Sequence, residues 1–289
     1  MSSKYCSPTK KYDPNVKTCF DIKDLISIAN AYNKWRKNVC NDNKCISKDT
    51  FKKINNVTSL PKNELYQQIK ERLNILGKNE YQWLELDFMK SLEPNSKNEI
   101  LYFTFKPKST KTIKTWFNTD NINEILQQYQ SYINDTNGKN FYRYIGAQPA
   151  DISRVYSFDW NELQNKYKCI SIVFNTDKHN KKGQHWVCCF IDNRYRTVEY
   201  FDSLGKMPNK YIREFLAHFE EEYTFRFNKK AFQQGGTNCG MYSCFFTIQK
   251  LKGMSFEDII KKFNKINPGN MSPDKMMSKY RSQVFRPYL

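Results

Sequence analysis

Apolar residues recur at helical spacing through the first hundred or so positions and at strand-like spacing beyond them. Ile22, Leu25, Ile26, Ala29 and Tyr32 fall at i, i+3, i+4, i+7 and i+10, and Leu65, Ile69, Leu73 and Leu76 form a second stripe. Each predicts an amphipathic helix that packs through one face. The stretch 106–114 (KPKSTKTIK) is basic, contains proline and has few bulky apolar residues, so it marks the expected boundary between two domains, 1–105 and 106–289. Residues 93–98 (EPNSKN) are a second candidate break.

Past the boundary, Asn121 is expected to cap a helix carrying Ile122, Ile125, Leu126, Tyr129 and Ile133. The run 169–174 (CISIVF) reads as a buried strand. Residues 185–191 (HWVCCFI) and 197–201 (TVEYF), joined by the hairpin-sized DNRYR, predict an antiparallel pair. A helix over 209–223, a strand over 225–232, a Gly-Gly loop and a helix opening at Cys239 follow, with Met241, Phe245 and Ile248 on one side of that last helix. Two more amphipathic helices are expected over 256–263 and 273–285. The fold class is therefore α+β: a mixed sheet flanked by helices, preceded by a mainly helical amino-terminal arm domain.

The 289 residues include 21 Phe, 19 Tyr and 5 Trp, so a sizeable core is within reach despite a mean hydropathy of −0.79. No apolar run approaches the ~20 residues that span a bilayer, and the amino terminus MSSKYCSPTK has no apolar signal region, so neither membrane insertion nor export is expected. Nine cysteines in such a chain are expected to be thiols. Cys40 and Cys45, with Cys6 and Cys19, lack a histidine at ligand spacing and fall short of a zinc site. Lys and Arg outnumber Asp and Glu by 47 to 29, for a net charge of +18. Those charges are dispersed, and no zinc-finger, RRM or homeodomain signature accompanies them. Loose, salt-sensitive contact with nucleic acid is expected rather than sequence recognition.

A thiol attacks a carbonyl as thiolate, so a nucleophilic cysteine needs a base, a positive local field and donors for the oxyanion. Cys239 opens an apolar helix directly after the flexible QQGGTN, where the helix dipole supplies the field. Of three histidines, His179 lies in a Lys-rich loop and His218 in a surface-type helix, and both are expected to be solvated. His185 opens an apolar strand at a loop–core rim. On the neighbouring strand Glu199 and Asp202 point to opposite faces, so only one can orient His185, and Asp202 at the strand end is the better placed. Cys188 and Cys189 must also face opposite ways and are expected to be packing residues.

Three blocks in this order, Gln184-His185-Trp186, Tyr200-Phe201-Asp202-Ser203 and Gln233 through Gly240, resemble the superfamily of SUMO deconjugases and adenovirus proteases. The passages 38–47 (NVCNDNKCIS), 118–129 (NTDNINEILQQY) and 174–177 (FNTD) extend the resemblance towards polyprotein-processing proteases of African swine fever virus and other large DNA viruses. The resemblance implies catalysis by His185, Asp202 and Cys239 through a thioester, with no metal or cofactor. Gln233 would donate its side-chain amide to the oxyanion beside the Cys239 backbone, with Gln234 as the alternative. Trp186 would roof a narrow passage that admits only Gly-Gly-type sequences; packed on its strand, it is otherwise a core aromatic. Asn238 departs from the Asp of many relatives, and the two glycines imply a loop that orders when substrate binds. The expected role is maturation of viral structural polyproteins in the host cytoplasm and the virion. A deconjugase of ubiquitin-like modifiers and a non-catalytic DNA-binding virion component are the alternatives.

Overall fold

The computed structural model describes residues 3–41, 51–74, 79–112, 114–265 and 272–287. The chain divides between Lys106 and Pro107 into two compact units, 1–106 and 107–289.

In the first unit α1 (Ile22–Asn41) and α2 (Lys62–Asn74) bury Leu25, Ile28, Ala29 and Tyr32 from one stripe and Leu65, Ile69 and Leu73 from the other. The short α3 (Glu80–Trp83) and α4 (Pro94–Phe103) complete this core. Trp83 there stacks on Phe20 with 5.9 Å between ring centroids. The second candidate break is no linker: Glu93 precedes α4 and Pro94 takes its first turn, where a missing N–H costs nothing. Cys6 and Cys19 form a disulfide, which corrects the expectation that every cysteine is a thiol. A turn closed by Asp13 and Thr18 folds Cys19 back towards Cys6, a proximity that cysteine spacing does not reveal. Cys45, Leu76 and the side chain of Cys40 lie outside the described residues.

The second unit runs α5 (Thr119–Asn137), β1 (Tyr142–Pro149), α6 (Ile152–Val155), α7 (Trp160–Lys166), β2 (Cys169–Asn175), β3 (Trp186–Asp192), β4 (Thr197–Phe201), α8 (Lys210–Leu216), β5 (Thr224–Phe227), α9 (Cys239–Leu251), α10 (Phe256–Asn264) and α11 (Pro273–Val284). The strands form one sheet in sequence order. β1 and β5 run parallel to their neighbours, while β2, β3 and β4 pair antiparallel. One face carries Cys188, Phe190 and Phe201 against α5, α9, α10 and α11. The other carries Ile172, Val187, Cys189 and Tyr200 against α8 and the aromatic turn after it. Helices on both faces explain why β2 and β3 read as unbroken apolar runs.

Three expectations shift. The cap of α5 is Asn118, whose Oδ1 accepts the Asn121 N–H at 2.9 Å, while Asn121 Oδ1, three positions on, accepts the Asn118 N–H at 3.2 Å. α8 gives way at Leu216 to a 3-10 turn, Ala217–Phe219. β5 stops at Phe227 because residues 228–233 are drawn off to the end of β4: Asn228 bonds the Asp202 backbone, and Phe232 and Gln233 donate to the Ser203 carbonyl. No helix among the described residues is long and apolar enough to cross a membrane.

Glu199, on the α9 face of β4, is buried and pairs with Lys250 at 2.8 Å. Glu199→Ala strands that ammonium in the core and should cost about 3 kcal/mol in urea unfolding, the usual penalty for breaking a buried pair from one side.

Candidate active site

Cys239 stands at the first position of α9, with only 2% of its surface exposed. Every residue from Cys239 to Gln249 is buried, so the helix is gripped from all sides and its amino end is fixed. Gly240 permits this depth. A Cβ there would sit 2.9 Å from Cβ of Phe117, so no larger residue lets α9 approach that segment. The Phe117 carbonyl accepts the Trp186 indole N–H at 2.8 Å, and Trp186 leads into β3 directly after His185. One contact thus ties together the thiol, the indole and the histidine.

His185 Nε2 lies 2.6 Å from Asp202 Oδ1. That oxygen also accepts the Leu204 N–H at 2.8 Å, and Asn228 clasps the Asp202 backbone through its N–H at 2.9 Å and its carbonyl at 2.6 Å. With Nε2 committed to Asp202, Nδ1 is the ring nitrogen left for the Cys239 thiol. Burial disfavours the imidazolium, but the bonds and charges of Asp202 and Cys239 outweigh it and carry His185 up to about 9. Glu199 faces the other side of the sheet, as strand alternation requires.

Of the two glutamines, Gln233 is buried and Gln234 borders the loop surface, where its backbone rather than its side chain is engaged. Gln233 Oε1 accepts the Ser203 hydroxyl at 2.7 Å, which anchors it to the residue after Asp202. Its Nε2 donates to the Gly235 carbonyl at 2.6 Å, so the donor end turns into its own loop. Neither Gly235 nor Gly236 adopts positive φ.

The remaining histidines are not simply solvated. His179 Nδ1 lies 2.8 Å from the buried Asp151, whose other oxygen accepts the His179 backbone N–H at 2.8 Å. His218 Nδ1 lies 3.0 Å from the Phe215 carbonyl, and its ring packs on Trp160. Neither pair includes a cysteine. No cluster of three or more potential metal ligands occurs among the described residues.

Two clefts flank the segment 184–186. One, of about 520 Å³, is lined by His185, Asp202, Gln233 and Gln234. The other, of about 610 Å³, is lined by Trp186 and by Trp116, an exposed indole the sequence pattern did not single out. Gln184 borders both. Trp186 is thus at once a core residue, 7% exposed, and a wall of the groove. Asn228 was equally invisible in the sequence; only the folded loop shows what it holds.

A thiol at a helix start and a histidine held by a carboxylate, set in an α+β fold, define a thiol-dependent peptide hydrolase. The chain belongs to the Ulp1 protease family, whose C-terminal catalytic domain matches residues 103–280. It is 31% identical over 281 residues to a protein of Acanthamoeba polyphaga mimivirus assigned as a thiol protease, covering 91% of this chain and 90% of that protein. It is 25% identical over 226 residues to the SUMO-1 cysteine protease of African swine fever virus, covering 70% and 76% respectively. The crystal structure of that virus's protease has the same fold, with a TM-score of 0.56 over 98% of both chains at 20% identity. The protein is a cysteine protease.

An NMR titration should place the His185 midpoint near 9. Asp202→Asn should move it down, because burial then acts with less opposition. Since the folded pKa is raised from 6.5, this group's contribution to stability is fully present below about 6.5 and is lost as pH rises through about 9. Thermal melts across that window should show it in the wild type and less of it in Asp202→Asn.

Proposed function

We propose that Cys239 is the nucleophile, His185 its base and later its acid, Asp202 the orienter of His185, and Gln233 an oxyanion donor beside the Cys239 backbone N–H. The observation that carries the reading is the imidazole held to the Asp202 carboxylate through Nε2, with Nδ1 left for the Cys239 thiol at the start of α9. The thiol passes its proton to His185, and the thiolate attacks the scissile carbonyl carbon, driving an electron pair onto its oxygen. As the tetrahedral adduct collapses, the C–N bond breaks and imidazolium protonates the departing amine. His185 then takes a proton from water, the hydroxide opens the thioester, and the proton returns to sulfur as the thiol leaves. Gln233 Nε2 carries two hydrogens: one goes to the Gly235 carbonyl, and the second is left for the oxyanion.

The substrate is a polypeptide cut after a Gly-Gly-type site. Trp186, pinned to Phe117, and Trp116 line one groove beside the segment that carries His185, and aromatic walls there favour substrate residues without side chains. The viral relatives support a viral protease; processing of structural polyproteins, in the infected cytoplasm and the particle, is the role proposed for it. The SUMO-1 protease name of one relative favours a second reading, removal of a ubiquitin-like modifier. The net charge of +18 supports loose adhesion to nucleic acid, which would hold the enzyme near its precursors. The first unit, 1–106, would give folded precursors an additional grip.

Cys239→Ala and His185→Ala should abolish cleavage of a Gly-Gly precursor, and Gln233→Ala should lower kcat by about 10²-fold. Retained turnover in Cys239→Ala would sink the assignment. The pH profile of kcat/KM should fall on the alkaline side near 9, as His185 loses its proton. Cleavage-site mapping on a capsid precursor and on a SUMO conjugate separates the two substrates.

Gel-shift titration should show nucleic-acid binding that weakens steeply between low and physiological salt. Comparing residues 107–289 with the full chain on a peptide and on a folded precursor tests the first unit: only the precursor should discriminate.

A further inference from the structure

The carboxylate of Asp274, in the first turn of α11, lies against the loop between Gln233 and Cys239. Its Oδ2 accepts the backbone N–H groups of Gln234 at 2.8 Å and Gly235 at 2.9 Å. Its Oδ1 accepts the Tyr242 hydroxyl at 3.2 Å and an N–H of Asn238 Nδ2 at 3.4 Å. These donors fill the roughly four lone-pair sites of a carboxylate. They straddle Cys239: Gln234 and Gly235 begin the loop, Asn238 ends it, and Tyr242 belongs to the first turn of α9.

Glycine geometry does not impose the shape of this loop. Gly235 and Gly236 both avoid positive φ; an added Cβ would meet only Asp274 Oδ2, at 3.7 Å, in the first case and nothing within 4 Å in the second. What holds the loop is hydrogen bonding, and Asp274 bridges its two ends. Gly235 is doubly placed, since its N–H goes to Asp274 and its carbonyl takes the Gln233 amide.

We propose that Asp274 is a positioning residue that sets the distance between the Gln233 amide and the Cys239 backbone N–H, so that both reach one oxyanion. The proposal rests on the roles assigned above to Gln233 and Cys239. It also accounts for position 238. Asn238 Nδ2 faces Asp274 at 3.4 Å, so a carboxylate at 238 would put two like charges within that distance. Asn238 and Asp274 are a matched donor and acceptor, and the remaining amide oxygen, Asn238 Oδ1, is buried with no hydrogen-bond partner among the described residues.

In the full chain, Asp274→Ala should lower kcat about tenfold or more, towards the cost of losing one oxyanion donor, while KM changes little. Alkylation of Cys239 by iodoacetamide, followed by peptide mapping, should keep its rate, because Asp274 bonds neither His185 nor Asp202 and the base beside the thiol is unchanged. Added to Gln233→Ala, Asp274→Ala should cost less than about a further twofold, since it acts through that side chain.

The complementary swap guards against a merely unstable variant. Asn238→Asp should lower kcat, and Asn238→Asp with Asp274→Asn should recover most of it by reversing donor and acceptor. Full additivity with Gln233→Ala, an unchanged kcat in Asp274→Ala, or a swap no better than Asn238→Asp alone would overturn the proposal. Turnover that survives Cys239→Ala would instead overturn the site itself, and this inference with it.

Discussion

The contact between Gly240 and Phe117 sets how closely the amino end of α9 approaches the sheet, and the position of the site follows from that approach. Phe117 is held in turn by the Trp186 indole, and His185 is the next residue back along the chain. A side chain at 240 would push the helix outward and separate sulfur from imidazole without altering either group. The Cys-Gly pair is therefore a single steric unit: the second residue lets the first reach its place beside the His185–Asp202 pair.

Burial and charge oppose each other at this place, and the outcome differs between the two carboxylates at the end of β4. Burial pushes Glu199 up, with the Lys250 ammonium opposing it, and the pair holds α9 to the sheet. Asp202 instead spends one oxygen on His185 and Leu204, and its charge helps to more than compensate the burial of the imidazole. Two acidic residues three positions apart thus take different work because the pleat turns them to different neighbours.

Much of this was legible in the sequence where the signal is local. The strand runs 169–174 and 197–201, the helix start at Cys239 and the opposite orientation of Cys188 and Cys189 all follow from periodicity over a few residues. Side-chain alternation left one of Glu199 and Asp202 for His185, the strand-end position favoured Asp202, and Asp202 is the one that His185 bonds. What escaped depends on residues distant in the chain. Asn228 reaches Asp202 across 26 positions, Trp116 meets the Trp186 cleft from the segment before α5, and Asp274 binds the Gln234 N–H across 40. The Cys6–Cys19 bridge and β1 were missed for a related reason, since each is decided by which partner lies nearby once the chain has folded, whereas the Asn118 cap is a local choice between two asparagines three positions apart.

Burial alone does not distinguish the reactive sulfur. All five free cysteines among the described residues are buried. For Cys169 burial, with the nearby Asp192 adding to it, pushes the thiol up to about 12. Cys188, Cys189 and Cys244 are likewise held well up by the apolar core, too high for a useful thiolate near neutral pH. Cys239 shares their burial and differs in its neighbours: the His185 imidazole and the amides of a helix end. Apolar packing thus keeps four of the described thiols protonated, while the fifth, Cys239, stands at a helix end near the His185–Asp202 pair, where β3 begins and β4 stops.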